Sequence, residues 1–211
     1  MRVTLSAVVE SSIELLDRPG VGRHEHLQWS PGRARALTTS LLRGRPDRLA
    51  HSLRAGLQAR RVLAAVPAQD ADLLVSAALL HDIGYASALR QTGIHAIDGA
   101  TFLVMLGAPY RLAALVAHHS ESRLLAEPAG VLAALSRFRR AEGPVTDALA
   151  YADMTSGPTG ARMSVPDRLA DIAARHAHED PVMLAARLAR VPRLLAAAQR
   201  VQLRLTGEAQ P

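Results

Sequence analysis

Leu79-Leu80-His81-Asp82-Ile83-Gly84 ends a long apolar segment on a histidine and an aspartate at adjacent positions. Just upstream, Leu73, Leu74, Ala77, Ala78 and Leu80 recur at helical spacing, which predicts a buried helix over residues 69–81. Gly84, two residues past the pair, suits the end of that helix, where a left-handed residue is needed. A polar pair in apolar surroundings needs compensation, because an unpartnered buried polar group costs several kcal/mol. A metal ion would supply it, and its other ligands must then come from elsewhere in the chain.

Working outward, every segment reads as helix or loop. Residues 3–16 have an amphipathic pattern, and 17–32 read as loop, with His24 and His26 solvated and Trp29 pinning the loop to the body. A helix is expected over 31–43. A second follows over 47–65, after the break at Gly44-Arg45-Pro46-Asp47, with His51 near its start. Downstream of the His-Asp pair, 85–92 is loop or turn. Helices are expected over 95–106, from Pro109 to His118-His119, over 131–140 and over 145–154, with 120–130 as loop. Ser156-Gly157-Pro158-Thr159-Gly160 is a loop, and Ser164-Val165-Pro166-Asp167 opens a helix running to about His176. One last amphipathic helix is expected over 181–205, its apolar stripe of Leu184, Leu188, Val191, Leu194, Leu195, Ala198 and Val201 lying among arginines. Such a stripe packs across the bundle or against a second copy in a homodimer. There is no credible strand and no repeat of fixed period, so the fold class is all-α.

Composition agrees. Of 211 residues 49% are hydrophobic but only 3% aromatic, with Ala and Leu dominant, a mixture suited to close-packed helices rather than a sandwich. No cysteine is present, which excludes disulfides, thiolate catalysis and Cys-based zinc sites and leaves nine histidines as the soft ligands. All 25 basic residues are arginine and the net charge is +6, a bias that fits a GC-rich bacterial genome and also suits phosphate recognition. The arginines are scattered with little aromatic interleaving, which argues against nucleic acid. No apolar run approaches the roughly 20 residues that span a bilayer, and the N-terminus lacks a signal-peptide pattern, so a cytoplasmic location without membrane contact is expected.

Collected in order, the candidate ligands are His51, His81, Asp82, His95, His118, His119 and Asp153. Most sit at helix starts or ends, from which several side chains can converge on one ion while apolar faces pack behind them. Imidazole with carboxylate suits zinc, iron, manganese or nickel. His176 and His178, beside Glu179-Asp180, read as solvated.

The order of His51, His81-Asp82 and Asp153 resembles the HD-domain superfamily of metal-dependent phosphohydrolases. His51-Ser52-Leu53-Arg54, Leu79 to Gly84, His95 with Gly99-Ala100, and Tyr151-Ala152-Asp153 stand in the expected sequence over roughly residues 46–175. The resemblance implies a helical bundle with three parts. Residues 1–30 form an N-terminal helix and loop, 31–180 the HD domain, and 181–211 a C-terminal helix packed on it. It further implies that His51, His81, Asp82 and Asp153 hold one ion. His95 and His118 or His119 would hold a second, with Asp82 bridging. Of the last two, His118 is favoured as ligand, with His119 behind it or facing substrate.

The activity implied is hydrolysis of a small phosphorylated substrate, such as a nucleotide, through attack of a metal-bound hydroxide on phosphorus, with Asp82 in the catalytic set. Arg54, one turn after His51, is the first candidate to grip phosphate, and Arg90 and Arg123 are weaker ones. The Gly-Tyr-Pro motif of the cyclic-dinucleotide phosphodiesterases in this superfamily is absent. Two other readings use the same ligands: a mixed-valent di-iron oxygenase, and a non-catalytic domain that binds metal, nucleotide or a partner protein.

Overall fold

The computed structural model describes residues 4–16 and 29–207. Among them the chain is all-α, and the only β pairing is an isolated bridge between Ser156 and Arg162. In chain order the helices are α1 Leu5–Leu16, α2 Pro31–Leu41, α3 Pro46–Arg61, α4 Ala71–Leu80, α5 His95–Met105, α6 Tyr110–His118, α7 Arg123–Ala126, α8 Leu132–Leu135, α9 Pro144–Met154, α10 Val165–Arg175, α11 Pro181–Leu188 and α12 Val191–Thr206.

Helix α4 is the axis. Apolar on every face, it buries all residues from Leu74 to Leu80, as a helix without a polar side must. Around it pack α2, α3, α6 and α9, and α5 lies along α6. Small residues set the spacing: a side chain on Gly56 of α3 would press within 2.6 Å of Leu79, so α3 and α4 approach closely only because that position is bare. The Thr38 hydroxyl donates to the Leu79 carbonyl at 2.8 Å, satisfying one of the acceptors that a helix end leaves unpaired.

Helix starts follow local chemistry. Ser30, Ser164 and Asp180 cap α2, α10 and α11 by accepting backbone N–H groups, each with proline just inside the helix, where a missing N–H costs nothing. Trp29 is buried and its carbonyl accepts from Ser76. His24 and His26 lie outside the described residues.

Three boundaries differ from expectation. The stretch 120–130 contains α7, and the helix expected over 131–140 shrinks to α8. The long last helix is two, α11 and α12, because Pro192 lacks an N–H and its ring clashes with the carbonyl four residues back. Along α12, Leu194, Ala197, Ala198 and Val201 are buried against α9, whereas Leu188 and Leu195 of the anticipated stripe face solvent. Asp147 on α9 accepts from Arg200 at 2.5 and 2.9 Å and from Arg204 at 2.5 Å, fastening the two helices.

Candidate metal centre

Four helix ends and one helix interior deliver six side chains to a single point. His51 comes from α3, His81 and Asp82 from the end of α4, His95 from the first position of α5, His119 from just past α6, and Asp153 from the last turn of α9. All but His95 are buried. The Nε2 atoms of His51 and His81 lie 3.1 Å apart, as do those of His95 and His119. Asp153 Oδ1 is 3.1 Å from His51 Nε2 and 3.8 Å from His81 Nε2. Asp82 Oδ1 stands between the rings, at 3.2 Å from His95, 3.5 Å from His81 and 3.9 Å from His119.

Local structure explains the convergence. After α4 the chain makes a 3₁₀ turn, Ile83–Tyr85, that packs on α5. Gly84 is required there, but not for a left-handed conformation, since it is absent from the positive-φ positions. A Cβ on it would overlap the backbone carbonyl of His95 and the amide of Gly99. The glycine thus lets the turn that carries Asp82 sit directly against the helix that carries His95. That helix start is itself fixed, with Thr92 donating from its amide and its hydroxyl to Asp98 Oδ1, both at 2.8 Å. On the other side, Ser120 and Glu121 adopt left-handed backbone angles, φ 47° and 58°, which non-glycine residues adopt at a cost of order 1–3 kcal/mol and which cluster at functional sites.

The ring tautomers follow from their partners. Nδ1 of His51, His81 and His119 faces the carbonyls of Gly157 (3.3 Å), Ala78 (2.8 Å) and Val116 (2.7 Å). A carbonyl only accepts, so each Nδ1 carries the proton. Burial pushes His81 below its ordinary value, and burial together with His81 and His95 pushes His119 down to about 3. Both rings are therefore neutral at pH 7 with bare Nε2 atoms. Burial opposes ionisation of Asp82 and Asp153, yet both carboxyls are held well below the usual range, Asp82 with Arg48 paired to it and Asp153 with the Ser120 hydroxyl donating to it. Nε2 of His81, Nε2 of His119 and a carboxylate oxygen of Asp82 thus lie within 4.8 Å of one another with no proton on any of them. Three acceptors so placed repel each other. A divalent cation resolves the conflict, and the donor set of imidazole nitrogen and carboxylate oxygen fits one. His51, His81 and Asp153 form a second group of the same kind.

The HD domain profile matches residues 48–178, well over half of the chain and the whole of this cluster. The chain belongs to the HD-domain family. Neither a curated protein nor a solved structure matches it significantly.

Within the HD domain some expected residues stand elsewhere. His118 is not in the cluster: its Nε2 faces the Phe138 carbonyl at 2.8 Å. Helix α6 ends at His118, so the next residue turns inward, and His119 occupies the place for which His118 was favoured. Arg54 is spent on the loop after α9, its Nε donating to the Gly160 carbonyl at 2.5 Å, and it does not line the cleft above the centre. Arg48, one turn before His51, does so instead, and its Nη1 donates to Asp82 Oδ2 at 3.2 Å. Arg90 and Arg123 are exposed and also lie outside that cleft. His176, expected to be solvated, lines it and pairs with Glu179 at 2.7 Å, whereas His178 is exposed.

Sequence reasoning missed Ser120, whose hydroxyl donates to Asp153 Oδ2, and Tyr85, which stacks on His95 with ring centroids 4.0 Å apart and lies under the Arg48 guanidinium at 4.2 Å. Arg48 was accessible in principle, since residues three apart share a helix face. Nothing in the sequence marks Ser120.

Proposed function

We propose that this HD domain is a metal-dependent phosphohydrolase acting on a small phosphorylated substrate, a nucleotide or another phosphoester or phosphoanhydride. The observation that carries this reading is the set of unprotonated acceptors, His81 Nε2, His119 Nε2 and Asp82 Oδ1, buried at the floor of an arginine-lined cleft. His51, His81, Asp82 and Asp153 would hold one ion, and His95 and His119 a second, with Asp82 shared between them. Divalent ions in such a site acidify water and neutralise charge on phosphoryl oxygens.

The chain's own groups prepare that chemistry. Three imidazoles are locked in the ligand tautomer by their Nδ1–carbonyl bonds. Arg48 and Ser120 each hold the outer oxygen of one carboxylate, fixing Asp82 and Asp153 in place. The cleft opens to solvent directly above the cluster. Guanidinium groups around it favour a phosphate-bearing ligand, and water-mediated hydrolysis needs no nucleophilic side chain in a protein without cysteine. No helix among the described residues is long and apolar enough to cross a membrane.

The test is metal analysis of freshly purified protein combined with a screen for phosphate release from nucleotides. The expected result is at least one transition metal per chain and phosphate release that disappears in His81→Ala and Asp82→Ala. Metal-free protein as isolated, release unaffected by His81→Ala, or turnover that consumes oxygen without releasing phosphate would each overturn the reading.

A further inference from the structure

Five arginines line the cleft above the metal centre, and one of them has no carboxylate partner among the described residues. They are Arg48, Arg168, Arg175, Arg187 and Arg190; Arg48 pairs with Asp82, Arg168 and Arg175 with Asp171, and Arg187 with Glu179, which leaves Arg190. Arg187 and Arg190 stand at the α11–α12 junction, beyond the matched 48–178 region.

Among the described residues one of these guanidiniums, Arg190, is buried without a carboxylate partner, and a second, Arg168, has one buried N–H unpartnered. Arg190 is only 7% exposed. Its Nη1 donates to the Ser120 carbonyl at 3.0 Å and its Nε to the Arg187 carbonyl at 3.3 Å, and no carboxylate among the described residues forms a salt bridge with it. Burial and the neighbouring Arg187 push it down to about 10, a sign of a cation lacking its counter-charge. Arg168 is 4% exposed and its Nε is buried with no hydrogen-bond partner among the described residues, although Nη1 reaches Asp171 at 2.7 Å. Arg187 forms a two-pronged bond with Glu179, at 2.7 and 2.8 Å, a carboxylate with which an incoming anion competes. A buried cation left uncompensated is costly, and Arg190, lining the cleft with Arg168 and Arg187 beside the metal-ligand cluster, calls for an anionic group in addition to the one the centre would hold.

We propose that Arg168, Arg187 and Arg190 form a polyphosphate subsite beside the metal centre, so that the ligand carries at least two linked phosphate groups rather than a single phosphoester. This rests on the phosphohydrolase reading for the chemistry at the centre, but not for the binding of the anion. Through the Ser120 carbonyl, Arg190 also touches the segment that carries His119 and the hydroxyl holding Asp153.

The experiment is calorimetric titration of the full metal-free chain with inorganic tripolyphosphate and with orthophosphate. Wild-type protein is expected to bind tripolyphosphate at least about tenfold more tightly than orthophosphate. Arg187→Gln and Arg190→Gln should each weaken tripolyphosphate about tenfold, as loss of a charge-assisted hydrogen bond does, with a much smaller effect on orthophosphate. Glu179→Gln, which removes the carboxylate competing for Arg187, should retain or tighten tripolyphosphate binding. Unchanged binding in both arginine variants would overturn the subsite, as would equal weakening in Glu179→Gln and Arg187→Gln, which marks a structural role. Tripolyphosphate binding that responds as expected, without phosphate release by the metal-loaded protein, would leave the subsite standing and remove the hydrolase reading. Metal-dependent phosphate release with tripolyphosphate binding insensitive to the arginines would do the reverse.

Discussion

Replacing Gly84 with alanine tests how the centre is assembled. A Cβ there would overlap the His95 carbonyl oxygen and stand 2.7 Å from the Gly99 amide nitrogen, about 0.7 Å inside the 3.4 Å at which ordinary contact begins. Both obstacles are backbone, so relief requires the turn Ile83–Tyr85 and α5 to separate. Overpacking of this kind costs about 1–3 kcal/mol and more where no side chain can yield. Reduced freedom of the unfolded chain returns about 0.4–1 kcal/mol. The expected net loss is about 2 kcal/mol, which for a chain of this size lowers the melting temperature by roughly 4–8 °C. The same separation draws His95 away from Asp82, now 3.2 Å distant, so metal content per chain should fall. Gly99→Ala meets its nearest atoms at 3.1 Å and should be milder on both counts. Differential scanning calorimetry and metal analysis of the two variants provide the check. A Gly84→Ala protein with wild-type melting temperature and full metal content would refute the close-approach argument.

Other predictions concern single groups. His119→Gln should lower bound metal, while His118→Gln should leave it within error of wild type, since the His118 ring faces the Phe138 carbonyl; metal analysis with the opposite order would move the centre. In metal-free protein, stability should fall as pH drops from about 6.5 to 4.5: the unfolded chain takes up a proton on residue 119 near 6.5 that the folded ring, pushed down to about 3, refuses. The slope from this group is at most about 1.4 kcal/mol per pH unit, His81 adds the same sign, and denaturant titrations of His119→Gln should show a shallower slope. Asp147→Ala removes the acceptor for Arg200 and Arg204 and should cost about 1.5–3 kcal/mol, read by thermal melts, with metal content unchanged.

How much could be read without the structure depends on the residue. The buried run Leu74–Leu80 and the amphipathic patterns around it made an all-helical bundle legible, because helical periodicity is local. The positions of His51, His81-Asp82, His95 and Asp153 were legible for a related reason: histidine and aspartate at the ends of apolar helices are conspicuous where neither has a cheap local partner. The choice between His118 and His119 was not, since adjacent residues at a helix end differ by about 100° in direction and only the terminus of α6 selects one. Arg54 and Arg48 flank His51 by one turn on either side, and periodicity treats them alike; the Gly160 loop, arriving from far along the chain, occupies one and leaves the other to Asp82.

By itself, then, the amino-acid sequence determined the fold class, the ligand types and the order in which they occur, all properties of local pattern and side-chain chemistry. Tertiary structure alone decided which imidazole completes the cluster, that Gly84 serves a backbone approach rather than a left-handed turn, and which arginines face the cleft. Those outcomes depend on where distant segments meet: Ser120 reaches Asp153 because the turn after α6 packs on α9, and Arg190 reaches Ser120 because the start of α12 lies against that turn.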